Sequence, residues 1–367
     1  MLFHKCAPKC GPDPTDTQIS GGAANKKGRR YTVDMHCHIL VPAIERLVAT
    51  LPEKAAEMRH LDLATGAAST EHNRRVMLPM AGPKLTNLQD RLRDMDSMGV
   101  DLQVISPTPT QYYYWTGHDL AAALVKEQNE AIAATCAKYP DRLVGLGNAS
   151  LQHPELAAEQ LHYLVKELGL KGVEISSSVN GASLGDDALK PFWQKAHDLK
   201  CVVFIHPFGT SMGSRLDKFY LSNFVGQPLE TAIALSELIF SGTLDRCDQV
   251  KIVAAHGGGY LPTYIGRSDH GFKVRPEAAG CANAPHEYLK RIWFDSVVYD
   301  GMALRHLIDR VGVKQVVIGT DYPFDMGHYA PHELIGSLSS LTDEERGDLL
   351  GANALGLLGI SIPSTAS

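Results

Sequence analysis

Eight short apolar segments are spaced along the chain, and amphipathic helical patterns stand between several of them. Each segment is nearly continuous in hydrophobicity, which is typical of a parallel strand that is buried on both faces. The predicted strands occupy residues 31–36, 101–106, 142–147, 170–176, 201–206, 250–256, 292–297 and 314–321. Apolar residues at intervals of three and four predict helices over residues 118–139, 154–168, 186–199, 301–312 and 343–358.

Eight strands that alternate with helices are what a closed eight-stranded barrel requires. An open doubly wound sheet would also alternate, but it usually has fewer strands and a glycine-rich phosphate loop, and no such loop follows the first strand. The sequence therefore predicts an α/β fold, a single (β/α)8 barrel of the TIM type over residues 31–367. Residues 41–90 predict an insertion over the barrel mouth after strand one, and residues 1–30 predict a flexible tail.

Two histidines stand one residue apart in the first strand, in the segment VDMHCHIL. Because alternate residues of a strand face the same side, His36 and His38 should project together while Cys37 points away. Two imidazoles that face one point can hold a metal ion. Taken alone, however, the pair is also compatible with two ordinary polar residues at the end of a strand.

Further polar residues end other strands of the predicted barrel. His206 ends the fifth strand, His256 the sixth and Asp321 the eighth. A barrel brings the C-terminal ends of its strands around one mouth, where such folds carry their chemistry. Three imidazoles and one carboxylate suit zinc with one position left for water, and the remaining histidine can act as a general base or acid. Each residue singly could be a capped strand-end histidine or a helix N-cap, but their joint occurrence favours a metal site.

A second metal is not expected. Two-metal barrels of this kind need a bridging group from the fourth strand, and Glu174 lies near that place. It stands inside the apolar run GVEIS, so we interpret it as a hydrogen-bonded residue of the barrel.

Charge and composition exclude several other classes. The formal net charge is −6 and no stripe of Lys or Arg is present, which argues against nucleic-acid binding. No apolar segment is long enough to span a bilayer. The first thirty residues lack the apolar core of a secretory signal, and the seven cysteines are scattered as reduced thiols would be, so a cytoplasmic location is expected.

The chain resembles the metal-dependent amidohydrolase superfamily, and within it the branch of 2-amino-3-carboxymuconate-6-semialdehyde decarboxylase. The matching blocks run in order along nearly the whole chain after the tail: VDMHCHI, RLRDMDSMGVDLQVISPTP, FIHPFG, AHGGGYLPTYIGR, WFDSVVYDGMAL and VIGTDYPFDMG. The resemblance implies a zinc-dependent decarboxylase that needs no organic cofactor. It implies one zinc ion per chain, with ligands His36, His38, His206 and Asp321. The implied catalytic residues are Asp321 itself and His256, which polarises the zinc-bound water.

The resemblance also implies how a small carboxylate substrate is held. Arg267 matches a substrate-binding arginine that can reach across a homodimer interface into the neighbouring site. A second arginine is expected in the insertion, where Arg74 and Arg75 are candidates and a solvated basic pair is the alternative. Phe324, near the metal aspartate, is expected to pack on a planar substrate. Phe208, which stands where the family usually has tryptophan, is also expected to contact the substrate.

Two other functions compete with decarboxylation. A hydrolase or hydratase could use the same metal and the same base, cleaving a C–C or C–N bond or adding water to a dicarboxylate. A barrel that only binds a ligand is the third possibility, but such a module would not need a fifth, base-like histidine.

Overall fold

The computed structural model describes residues 30–362. Nearly all of the predicted flexible tail lies outside these residues. The tail and the cytoplasmic location inferred in part from it therefore stay predictions. Eight parallel barrel strands are present: β1 (Val33–Ile39), β2 (Leu102–Pro107), β3 (Leu143–Gly145), β4 (Gly172–Ile175), β5 (Val202–Ile205), β6 (Lys251–Ala254), β7 (Ile292–Asp295) and β8 (Val316–Val317). All eight predicted strands are thus found.

The strands close into a ring. β1, β2 and β3 pair in parallel in that order, and β4 to β8 form a second parallel run. Bridges between Gly147 and Val173, and between Asp34 and Ile318, join the two runs at both seams. The prediction of a closed (β/α)8 barrel is therefore confirmed. A two-stranded hairpin, Ser178–Val179 with Ala182–Ser183, follows β4 outside the ring.

Helices surround the barrel. In chain order they are α1 (Pro42–Val48), α2 (Pro52–Thr65), α3 (Ala67–His72), α4 (Leu78–Thr86), α5 (Leu88–Met98), α6 (His118–Lys138), α7 (Pro154–Lys166), α8 (Lys190–Leu199), α9 (Gln227–Phe240), α10 (Thr243–Arg246), α11 (Leu261–Val274), α12 (Pro285–Tyr288), α13 (Gly301–Val311), α14 (Pro331–Gly336), α15 (Asp343–Gly347) and α16 (Asn353–Leu358). The five predicted helices are found, the last divided into α15 and α16 by a π turn at Asp348–Ala352. No helix among residues 30–362 is long and apolar enough to cross a membrane.

The insertion after β1 is helical. It contains α1 to α4 and a π turn at Asn73–Met77 that joins α3 to α4. Proline occupies the first position of α1 and α2, where its missing N–H costs no helical hydrogen bond. Met77 lines a cavity beside His206 and His256, so part of the insertion covers the barrel mouth as predicted.

The barrel has two apolar layers. An inner cluster fills the ring with residues such as Met35, Val104 and Phe204, and apolar residues of α16 pack against them. A larger cluster, which includes Cys37 and Ile39, lies between the strands and the helices. The register of β1 against β2 shifts between Asp34 and Cys37. Because of this irregularity, Met35 faces the barrel interior near the start of the strand, and His36 and His38 also face the interior, near its end at the barrel mouth.

Candidate metal centre and active site

Side chains from four strand ends converge at the barrel mouth. The Nε2 atoms of His36 and His38 lie 3.2 Å apart, and each is 3.3 Å from Asp321 Oδ1. His256 Nε2 lies 3.6 Å from the other Asp321 oxygen, Oδ2. His206 completes the group, with its ring centroid 4.8 Å from that of His38 and 5.1 Å from that of His256. The four residues predicted as metal ligands and the histidine predicted as the base are therefore brought together.

Several polar atoms in this cluster are buried without a hydrogen-bond partner. They are both ring nitrogens of His206, Nδ1 of His256 and Oδ1 of Asp321. Buried polar atoms normally have partners, because an unsatisfied group costs about 1–3 kcal/mol. Single ligand atoms from His36, His206, His256 and Asp321 all lie within 4.8 Å of one another. This donor set and these unpaired atoms fit a divalent metal ion.

Asp295 holds two members of the cluster in place. Its Oδ2 atom accepts hydrogen bonds from His36 Nδ1 at 2.5 Å and from the His256 backbone N–H at 3.0 Å, while Oδ1 accepts from Gly257 N at 2.9 Å. With Nδ1 engaged in this way, the Nε2 atom of His36 is directed at the centre of the cluster. Carboxylate partners of this kind commonly fix the tautomer and orientation of metal-binding histidines.

His38 is oriented by its own neighbours. Its Nδ1 atom donates to the carbonyl of Pro107 at 3.2 Å, and Glu174 Oε2 lies 3.5 Å from the same nitrogen. Glu174 is fully buried and accepts from Tyr112 Oη at 2.5 Å and from the Ser106 hydroxyl. The interpretation of Glu174 as a hydrogen-bonded barrel residue is confirmed. Burial raises the pKa of this carboxyl despite the hydrogen bonds that lower it.

A buried polar network ties β1 to the loop that carries Asp321. The Arg91 guanidinium donates to the His38 carbonyl and, at 2.9 Å, to Gln103 Oε1. Gln103 in turn donates to Asp34 Oδ2 at 2.9 Å. The hydroxyl of Thr320, next to Asp321 in the chain, donates to the same oxygen at 2.6 Å. This network fixes the histidine strand and the aspartate loop relative to each other.

The backbone is strained at two site residues. His256 and Asp321 have φ values of 54° and 56°, in the left-handed region that residues other than glycine rarely adopt. The His256 N–H is held by Asp295, and the Asp321 N–H donates to the carbonyl of His36 at 2.8 Å. Such conformations persist only where surrounding contacts enforce them, and they concentrate at functional sites.

Burial and neighbouring charges shift the pKa values of His206 and Asp321. Burial lowers the pKa of His206 far below its ordinary value, and the neighbouring imidazoles lower it further. For Asp321, burial raises the pKa, but His36 and the other histidines outweigh it and hold the pKa well below the usual range. A neutral imidazole and an ionised carboxylate are the forms that bind metals.

Two adjoining cavities open above the cluster, of about 380 Å³ and 190 Å³. His256, Asp321, Asn223, Gln227 and Met326 line both of them. Apolar and aromatic side chains of the segments after β5, β6 and β7 also line the larger cavity. A small acid could therefore reach both His256 and the unpaired atoms of the cluster.

The two predicted aromatic residues lie at this site. Phe208 and Phe324 both line the smaller cavity with His206. The Phe324 ring centroid is 5.5 Å from that of His38. Their predicted contact with substrate fits these positions and stays a prediction.

The predicted arginines lie elsewhere on this chain. Arg267 is exposed in the middle of α11. Arg74 and Arg75 belong to the π turn of the insertion, are exposed, and both pair with Glu71. Neither cavity is lined by an arginine or a lysine from residues 30–362. Any role of these arginines in substrate binding stays a prediction.

Sequence reasoning missed Asp295, Asn223 and Gln227. Asp295 is the last residue of β7, so an acid at the C-terminal end of a strand was a usable signal. Asn223 and Gln227 follow a long non-periodic segment after β5, and nothing in their sequence context placed them at the mouth.

Comparison with known proteins identifies the family. The family model described as amidohydrolase matches residues 33–360, most of the chain. The protein belongs to the amidohydrolase family. Among curated relatives of this amidohydrolase is 2-amino-3-carboxymuconate-6-semialdehyde decarboxylase of Dictyostelium discoideum, 38% identical over 272 residues, which cover 74% of this chain and 76% of the relative. The resemblance predicted from the sequence is confirmed.

Solved structures share the fold. The crystal structure of 5-carboxyvanillate decarboxylase from Sphingomonas paucimobilis superposes with a TM-score of 0.80 at 23% identity, covering 91% of this chain and all of that one (100%). The enzyme of the same name from Novosphingobium aromaticivorans, with a TM-score of 0.79, 21% identity and coverage of 94% and 100%, is complexed with manganese and 4-hydroxy-3-methoxy-5-nitrobenzoic acid. These similarities support the barrel assignment.

Proposed function

We propose that this amidohydrolase is a metal-dependent decarboxylase of a small unsaturated or aromatic carboxylic acid. 2-Amino-3-carboxymuconate-6-semialdehyde, or a close analogue, is the first substrate to test. The observation that carries the proposal is the group of His36, His206, His256 and Asp321, with His38 in contact with it and with unpaired buried atoms, at the base of the cavities. The relative named for this reaction, 38% identical, supports the choice of substrate.

His36, His38, His206 and Asp321 would hold the metal ion, one per chain. Zinc is our first candidate, because imidazole nitrogens and a single carboxylate oxygen suit it. A cation held there would supply positive charge that stabilises the negative charge developing on the substrate as its bond to CO2 breaks. No organic cofactor is needed for this reaction.

His256 would move the proton. Decarboxylation breaks the bond between the carboxylate carbon and its neighbour, releases CO2 and leaves an electron pair on that neighbour, which must take up a proton. His256 lines both cavities, its ring is only 14% exposed, and its Nε2 atom faces Asp321 Oδ2 at 3.6 Å. It borders both the other cluster residues and the space for substrate, so in this proposal it accepts a proton from water and delivers it to carbon.

Aromatic and cationic groups would hold the substrate. Phe324 and Phe208, at the edge of the smaller cavity, would pack on a planar conjugated acid. Arg267 is exposed and lines neither cavity of this chain, so it would contact substrate only by entering the site of a second copy in a homodimer. Arg74 or Arg75 would have to leave Glu71 in order to bind a substrate carboxylate.

Release of CO2 tests the proposal directly. The zinc-supplemented protein should release CO2 from freshly generated 2-amino-3-carboxymuconate-6-semialdehyde, and His256→Ala should lose most of this activity. His270→Ala is the matched control, because His270 is an exposed histidine of α11. Substrate consumption without CO2 would instead favour hydrolysis or hydration, the chemistry that the family's name indicates. If neither that compound nor 5-carboxyvanillate releases CO2, the proposed function is wrong.

A further inference from the structure

Two amide side chains at the barrel mouth have no role in the metal cluster. Asn223 lies in a π turn at Ser222–Gly226, and Gln227 is the first residue of α9, which follows at once. Both line both cavities together with His256 and Asp321. They therefore stand where the two cavities meet, within the space that a substrate would occupy. Local π turns of this kind are frequent at functional sites.

The hydrogen-bonding capacity of these amides is largely unused. Gln227 Oε1 is buried and has no hydrogen-bond partner. The Gln227 amide nitrogen makes only a long contact, 3.4 Å, with the carbonyl of Gly209. The Asn223 side chain makes no hydrogen bond to any residue between 30 and 362. A buried amide oxygen without a partner is costly, and a ligand that donates a hydrogen bond to it would remove that cost.

The side chains that line the two cavities restrict which chemical group of a ligand can bind beside Asn223 and Gln227. Within the described part of the chain, no arginine or lysine lines either cavity. Asp325 adds a carboxylate to the wall of the smaller cavity, and burial raises its pKa. An amide donates through nitrogen and accepts through oxygen, so it pairs best with a neutral group that can do the same.

We propose that Asn223 and Gln227 form a polar subsite that binds a neutral amino or hydroxyl substituent of the acid substrate. The proposal rests on the proposed function, since it assumes that the carboxylate is held near the metal cluster. In this arrangement Gln227 Oε1 accepts from the substituent, and the amide nitrogens donate to its lone pair. The two residues would select substituted acids over unsubstituted ones and would not take part in bond cleavage.

Binding of matched benzoates tests the subsite without requiring turnover. The probes are benzoate and benzoates that carry one hydroxyl or amino group at the meta or para position, titrated calorimetrically into the zinc-supplemented full-length protein. The native protein should bind at least one substituted benzoate about tenfold more tightly than benzoate, the effect of one well-placed hydrogen bond in a buried site. Equal affinity for all probes, or no measurable binding of any of them, would overturn the proposal.

Two substitutions assign the preference to the amides. Gln227→Met keeps the length of the side chain but removes its polar atoms, and Asn223→Leu does the same for the other amide. Gln227→Met should remove most of the tenfold preference and Asn223→Leu part of it, each read as the ratio of substituted-benzoate to benzoate affinity in the same variant. Gln249→Met is the matched control, because Gln249 is exposed just before the start of β6, whereas His256 follows the end of that strand, and Gln249 lines neither cavity. Full retention of the preference in both variants would refute the subsite.

This experiment separates the two proposals. A native protein that prefers substituted benzoates through Gln227, yet releases no CO2 from any acid tested, would refute the decarboxylase and keep the subsite. If the protein releases CO2 but shows no preference for substituted benzoates, the decarboxylase proposal stands and the subsite is refuted. The same holds if the preference is unchanged when the two amides are replaced. Thermal unfolding of each variant, compared with the native protein, checks that the fold is retained.

Discussion

Replacing Asp295 with asparagine should weaken metal binding and destabilise the barrel, because this fully buried carboxylate accepts four hydrogen bonds. Its donors are His36 Nδ1 at 2.5 Å and the backbone N–H groups of His256, Gly257 and Val297 at 3.0, 2.9 and 3.1 Å. An asparagine offers one carbonyl oxygen and one NH2 group. Because the NH2 group would replace one of the two accepting oxygens, two of the four donors would face another donor in a buried contact.

The expected magnitudes follow from these contacts. Loss of a carboxylate that orients a metal-binding histidine typically weakens metal affinity about 10- to 100-fold. Two buried donors without an acceptor cost roughly 1–3 kcal/mol each, so the free energy of unfolding should fall by roughly 2–6 kcal/mol. Both effects arise although asparagine has nearly the same size and shape as aspartate.

Competition with a chromophoric chelator would measure zinc affinity, and urea unfolding of the metal-free protein would measure stability. Asp119→Asn is the matched control, because Asp119 is fully exposed in the first turn of α6. Zinc affinity of Asp295→Asn within twofold of the native value would refute the orienting role that the structure gives this residue.

Three further perturbations test other parts of the account. Asp321→Ala should lose most bound zinc by elemental analysis, since one of four proposed ligands is gone, and full zinc content would refute that assignment. His256→Ala should keep zinc but slow turnover by about 10²- to 10⁴-fold, and undiminished turnover would exclude it as the base. Gly259→Ala should destabilise the fold by roughly 3 kcal/mol, because φ is +62° and the added Cβ would lie 1.9 Å from the carbonyl oxygen of Pro228. Gly266→Ala, whose Cβ meets nothing within 4 Å, is its control in urea unfolding, and equal effects of the two changes would contradict the steric argument.

The barrel was predictable because buried parallel strands leave a strong trace in sequence. Each strand is apolar on both faces, so the eight runs stand out, and their alternation with helices leaves few architectures. The residues at which the strands begin and end were less predictable. β1 extends to Ile39 because its pairing with β2 continues beyond the histidines. Regular pairing in β8 covers only Val316–Val317, although the predicted strand ran from 314 to 321.

The centre of the site was predictable for the same reason. Histidines and an aspartate at the ends of barrel strands must meet at one mouth once the ring closes, and His36, His38, His206, His256 and Asp321 do so. Asp295 was visible as an acid that ends a strand, but only the structure shows that it holds His36.

The outer parts of the site could not be derived in this way. Asn223 and Gln227 reach the cavities through a loop and a π turn, and such segments carry no periodic pattern. The arginines expected to clamp the substrate lie outside the cavities of this chain. Side chains on loops are placed by tertiary contacts, which a single sequence does not reveal.

Dependence of CO2 release on metal content tests the central claim most directly. The metal should be removed with a chelator and returned in steps as zinc or manganese, with CO2 release from 2-amino-3-carboxymuconate-6-semialdehyde measured at each step. The account predicts no CO2 release from the metal-free protein, a linear rise on addition of metal and saturation at about one ion per chain. CO2 release that is unchanged after complete removal of the metal would contradict it.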